Sequence, residues 1–198
     1  MSQPQQERSR ATRQRLLDAT IDNLAEVGWS GTTVVAVAAR AGVSRGAAQH
    51  HFATRDDLVR AAVESVTDEL TREMREQEAH FAEGGNRPLA VVELLTDMWA
   101  GRFGRAATQL WVAAATDPGL RALVLPLEQR FSRELFRTTA ELLEVDRREP
   151  RAAESVRLTI DLTRGVGLGA LLRSDLQRRK ADLAQWAAVL ATLPGIGS

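Results

Sequence analysis

The 198-residue chain contains no cysteine. Disulfides, thiolate metal sites and cysteine nucleophiles are therefore excluded, and nothing in the composition asks for an oxidising compartment. Lysine is nearly absent too: Lys180 is the single one, and arginine supplies the rest of the 26 basic side chains. No apolar run is long enough to span a bilayer, and the opening MSQPQQERSRATRQR is polar, without the apolar segment of a secretion signal. A cytoplasmic location with no membrane partner is the expectation. Histidine occurs three times, as His50, His51 and His80. Neighbours on a helix point about 100° apart, so His50 and His51 are poorly placed to share a metal, and neither a metal site nor a cofactor is expected. No Ser, His and Asp set stands out as a catalytic triad, and no segment reads as a strand.

What is present suits one or two small domains, because a chain of this size buries roughly 70% of its surface on folding. Formal net charge is zero, but residues 1–60 hold eight Arg against six acids, whereas residues 61–198 hold 18 bases against 20 acids. Arg8, Arg10, Arg13 and Arg15 cluster at the entry to the first helix. There they form either a phosphate-neutralising arm or an ordinary solvated helix start.

The most informative stretch is TVVAVAARAGVSRGAAQHHF, from Thr33 to Phe52. Val34, Val37, Ala38 and Ala41 recur at helical spacing, with Thr33 placed to cap the first free amides. Gly42 closes that helix through a left-handed turn, and Val43 plugs the angle that follows. Ser44 then caps a second helix whose Arg45, Gly46, Ala47, Gln49 and His50 are small or hydrogen-bonding. Such a surface suits a DNA major groove.

These residues resemble a known family. GWSGTTV from Gly28 to Val34, AGVSRG from Ala41 to Gly46 and HHFATRDDL from His50 to Leu58 are similar to the N-terminal domain of the tetracycline-repressor-like (TetR) family. The similarity runs from about Arg13 to Val63. It implies an all-α homodimer with a three-helix DNA-binding domain and a larger C-terminal domain that senses a small molecule. The chain departs from the usual family pattern at Ala48 and Gln49, where an aliphatic residue and a Tyr commonly stand.

Along the chain, the first helix is expected from about Arg10 to Val27, with Leu17, Ile21 and Leu24 buried and Gly28 as its stop. Thr54 caps a long fourth helix that carries Asp56 and Asp57 in its first turn and reaches about Phe81. The segment from Glu83 to Pro88 is the clearest break. A fifth helix over Pro88 to Phe103 is separated by Gly104 from a sixth over Arg105 to Ala115. Asp117 and Pro118 open a seventh, kinked at Pro126 and ending near Val145. An eighth spans Pro150 to Arg173, and a ninth Arg178 to Leu193. About nine helices divide into a DNA-binding domain, residues 1–53, and an effector-binding and dimerisation domain, residues 54–198.

An enzyme reading rests on Gly165, Gly167 and Ala170, which match a dinucleotide-binding G-x-G-x-x-A turn. That turn needs flanking strands, and the segment reads as helix. Gly165 and Gly169, one turn apart, instead let another helix approach, and with Leu172, Trp186 and Leu190 they form the expected dimer interface. Trp99, Phe103, Trp111 and Phe131 lie on three helices and either wall an apolar effector pocket or serve as core. The expectation is thus a ligand-responsive transcriptional regulator and not an enzyme, a repressor rather than an activator, released from double-stranded DNA by a small apolar molecule. A helical enzyme or metabolite-binding protein that retains the motif is the alternative. Arg45 and Gln49 are assigned to base edges, and Thr33, Ser44, His50, His51 and Arg55 to phosphates, with Gly46 and Ala47 completing the contact surface.

Overall fold

The structure is a computed structural model that describes residues 3–77, 85–146, 148–172 and 175–196. Among the described residues there are nine α-helices and no strand: α1 (Gln3–Gly31), α2 (Val34–Arg40), α3 (Arg45–His51), α4 (Arg55–Glu76), α5 (Arg87–Ala100), α6 (Arg102–Thr116), α7 (Pro118–Leu142), α8 (Pro150–Ala170) and α9 (Leu176–Leu190). The all-α class follows from the helical spacing of the apolar residues. No described helix is long and apolar enough to cross a membrane.

Two compact units form. The first comprises residues 1–66 and 105–129, and the second residues 67–104 and 130–198. In the first, Leu16, Leu17, Ile21 and Leu24 of α1 are buried together with Val37, Ala38, Ala48, Phe52, Leu58 and Val59. α1 starts at Gln3 rather than Arg10, since the QPQQERSR stretch is rich in Gln, Glu and Arg, which favour helix. The segment with Arg8, Arg10, Arg13 and Arg15 is therefore helical. Gly28 interrupts the helix where expected, at φ 71° and ψ −171°, and one further turn reaches Gly31.

The second unit is built around α5, which packs on α8 and α9. Leu95, Trp99, Leu135, Leu142, Leu143, Val156, Leu183 and Leu190 are buried in it. The expected end of the fifth helix at Phe103 is corrected: α5 stops at Ala100, and Gly101, in extended conformation, makes the break. Gly104 lies inside α6, where a Cβ would come within 1.8 Å of the Trp99 carbonyl oxygen. It is a glycine because backbone passes against it. α7 does run through Pro126 but ends at Leu142, and α8 and α9 end at Ala170 and Leu190. The tail of the fourth helix to Phe81, His80, Glu83 and Arg173 lie outside the described residues.

Candidate nucleic-acid interface

The helix-turn-helix forms by the local signals its sequence carries. Thr33 Oγ1 accepts from the Ala36 amide at 3.1 Å, and Ser44 Oγ accepts from the Ala47 amide at 3.2 Å, so each short helix has a side-chain cap. Between them Gly42 takes φ 63°, and the Val43 amide donates to the Ala38 carbonyl at 2.9 Å. Those bonds close α2 in the geometry glycine permits. Val37 and Ala38 are buried, while Val34 and Ala41 are half-buried. An ion pair from Arg40 on α2 to Glu26 on α1 ties the first two helices, and that bond holds the Glu26 carboxyl below its ordinary pKa.

α3 turns Ala48 inward, and Phe52 follows as its buried C-cap. The departure from the family pattern at this position thus places a small side chain in the buried face of α3. Arg45, Gly46, Gln49 and His50 are exposed, and Ala47 and His51 are half-buried at the rim. A Cβ on Gly46 would meet nothing within 4 Å, leaving low relief beside Arg45. The His50 and His51 rings meet edge to face at 5.8 Å, and the Arg13 guanidinium lies 5.4 Å over the Phe52 ring. Burial holds His51 below the usual imidazole pKa, and the charges of His50 and Arg13 push the same way. No group of three His, Cys, Asp or Glu side chains placed to hold a metal occurs among the described residues.

α4 begins with a reciprocal cap. The Asp57 amide donates to Thr54 Oγ1 at 3.0 Å, and the Thr54 amide donates to Asp57 Oδ2 at 3.2 Å. Arg55 follows, its guanidinium 3.3 Å over the Trp29 ring. Desolvation lowers its pKa from the ordinary arginine value. The sequence alone assigns Trp29 no role.

The remaining expected residues fall in less simple places. Trp99, Phe103 and Phe131 interlock with ring centroids 4.8 to 5.9 Å apart, and Trp99 is fully buried. Trp111 is half-buried and belongs to the first unit. Trp99, Phe103 and Phe131 fill each other's space as core. A cavity of about 430 Å³ lies elsewhere in the second unit, lined by Gly165, Val166 and Gly169 of α8 and by Leu176, Arg179 and Asp182 of α9, among others.

The expected dimer residues divide. Leu190 is 0% exposed, so it is corrected to core, and Trp186 is half-buried with its Nε1 donating to Thr159 Oγ1 at 3.0 Å. Gly165 and Gly169 meet nothing within 4 Å of a built Cβ, and Leu172 is 92% exposed. The close approach within the chain is at Gly167 instead, where a Cβ would lie 2.4 Å from Trp99 Cβ and 2.9 Å from the Thr96 carbonyl oxygen. Sequence reasoning missed Leu158 and Leu162, exposed by 57% and 36%. With Gly165 and Gly169 they recur at intervals of four and three, one apolar stripe along α8 that leads to Leu172 in the turn after the helix. That periodicity was the available signal.

The α1 to α3 arrangement defines a helix-turn-helix protein. The sequence profile described as "Bacterial regulatory proteins, tetR family" matches residues 16–62. The chain is 30% identical over 168 residues to the HTH-type transcriptional regulator BetI of Escherichia coli O45:K1 (strain S88 / ExPEC), covering 81% of this chain and 77% of that one. It is 35% identical over 123 residues to the uncharacterized HTH-type transcriptional regulator Rv2912c of Mycobacterium tuberculosis (strain ATCC 25618 / H37Rv), covering 61% of this chain and 62% of its relative's length. A solved structure of the multidrug binding protein EbrR complexed with proflavin shares the fold, with TM-score 0.56, 23% identity, and coverage of 88% of this chain and 99% of that one. The chain belongs to the TetR family.

Proposed function

We propose that the chain is a homodimeric, ligand-responsive transcriptional regulator that represses by binding an operator and is released by a small apolar effector in the cytoplasm. The observation that carries the reading is α3: capped by Ser44 and seated on Ala48 and Phe52, it presents Arg45, Gly46, Gln49 and His50 to solvent on one face. Arg45 and Gln49 contact base edges in the major groove. Thr33, Ser44, His50, His51 and Arg55 contact phosphates, with Gly46 and Ala47 at the groove surface. Residues 1–53 form the reading head, and residues 54–198 bind the effector and dimerise.

The α8 stripe of Leu158, Leu162, Gly165 and Gly169, continued by Leu172 just past the helix, is the proposed subunit seam, with Trp186 at its edge. Effector binding parts Trp99, Phe103 and Phe131 and changes the angle of α4. That shift takes the two heads off their half-site spacing, a coupling that is reciprocal in binding free energy. A neighbour of the same fold complexed with proflavin, a planar aromatic dye, supports an effector with an aromatic body. The test is a gel shift of the full chain against DNA upstream of its own gene. Retarded, competitor-resistant binding is expected. No sequence-selective binding, together with turnover or tight binding of a metabolite, would overturn the reading.

A further inference from the structure

Arg55 is held in an unusual way for a residue assigned to a phosphate. Its Nε and Nη2 are buried and make no hydrogen bond within the described residues. Buried donors without partners cost free energy, so something must compensate. The Trp29 ring does so, its face 3.3 Å from the guanidinium carbon. Arginine is also the cation that tolerates such a place, because its planar guanidinium is weakly hydrated and stacks on aromatic faces.

Both ends of the stack are fixed by backbone. Gly28, at φ 71°, turns the chain so that Trp29 leaves the line of α1. Thr32 Oγ1 then donates to the Gly28 carbonyl at 2.7 Å, and the Thr32 amide to the Trp29 carbonyl at 3.1 Å. On the other side, the Thr54 and Asp57 cap sets the first turn of α4, where Arg55 sits.

We propose that Trp29 is a positioning residue for DNA binding: its ring holds one edge of the Arg55 guanidinium against the protein and turns the remaining nitrogen, Nη1, outward to a backbone phosphate. This rests on the DNA-binding reading above. Its consequence is that the Arg55 side chain is ordered before DNA arrives, so less rotamer freedom is given up when the phosphate is bound.

The test measures binding of a labelled random-sequence duplex by anisotropy across a salt series. Arg55→Ala should shallow the slope of log affinity against log salt by about 0.9 for each phosphate that is no longer neutralised. Trp29→Leu, which removes no charge, should shallow it by the same amount, and Trp29→Phe should restore it. In the double variant the slope should be no shallower than in Arg55→Ala alone. A wild-type slope for folded Trp29→Leu, or slope changes that add in the double variant, would make Trp29 ordinary packing and overturn the proposal. Should Trp29→Leu unfold, Trp29→Met must give the same shallowing. A wild-type chain that binds no DNA overturns the DNA-binding reading itself, before any variant is compared.

Discussion

Gly169→Leu separates the subunit seam from the fold of one chain. On the protomer a side chain at position 169 meets open space, with nothing within 4 Å of a built Cβ. Gly169 is the penultimate residue of α8, where leucine is a better helix former than glycine. The folded protomer should therefore be unharmed. Across a two-fold seam the same side chain lies where two backbones meet, and overpacking costs roughly 1–3 kcal/mol. One such clash raises the dimer Kd by roughly 5- to 150-fold. Sedimentation velocity over a dilution series should show this weakening, while circular dichroism shows retained helix. Gly167→Leu is the control with the opposite failure, because its Cβ would already lie 2.4 Å from Trp99 Cβ. That variant should lose the fold. A folded Gly169→Leu with undiminished association would refute the assignment of the α8 stripe to the seam.

Arg45→Ala should cost roughly 1–3 kcal/mol of operator binding and relax base preference, whereas Arg55→Ala should weaken all sequences alike; equal operator affinity for Arg45→Ala and wild type would sink the recognition-helix assignment. His51 has a folded pKa below its ordinary value, so in the free protein its neutral form is favoured and stability falls as pH drops through the window from the usual imidazole pKa down to the folded one. DNA phosphates favour the cation, so binding should take up a proton and operator affinity should rise as pH falls through the same window; His51→Gln should flatten that dependence in an anisotropy titration, and a flat wild-type profile would count against a phosphate contact at His51. Trp99→Ala removes a fully buried indole and should lower stability by about 3–5 kcal/mol in chemical denaturation. The half-buried Trp111 is the cleaner probe: Trp111→Ala should raise the effector concentration needed to release operator DNA in a gel shift while leaving operator affinity intact, and release at the wild-type concentration would assign it to packing.

The features legible in the sequence are those set by one residue and its nearest neighbours. Thr33, Ser44, Thr54 and Asp117 cap the helices they precede, and Gly28 and Gly42 take the positive φ angles that interrupt α1 and close α2. Each signal is a single hydrogen bond or a single φ. The misreadings concern residues whose role is set from a distance. Gly101 and Gly104 are alike in sequence, yet one breaks the chain and the other admits the Trp99 carbonyl inside a helix. Leu190 and Leu158 are equally apolar, and only the packing of α8 and α9 decides that the first is core and the second exposed. Trp99, Phe103 and Phe131 follow the same rule: composition gives apolar volume, and only packing shows that their rings fill it, whereas a cavity is what packing leaves unfilled.

A chain of zero net charge is a poor phosphate binder only if its charges are free to average. In the first unit they are not. Glu26 is engaged by Arg40, and Asp57 is committed to the Thr54 cap at the start of α4, where the helix dipole favours it. Arg45, by contrast, makes no ion pair among the described residues and stands exposed on α3, and Arg55 is stacked on an indole rather than on a carboxylate. Acids spent inside the unit no longer draw the arginines away from its surface. Because exposed charges further apart than about 8 Å are largely screened at physiological salt, a phosphate at α3 responds most to the cations beside it. The small excess of arginine in the first 60 residues is sufficient because of where it is left, and this local placement makes the binding steeply dependent on salt.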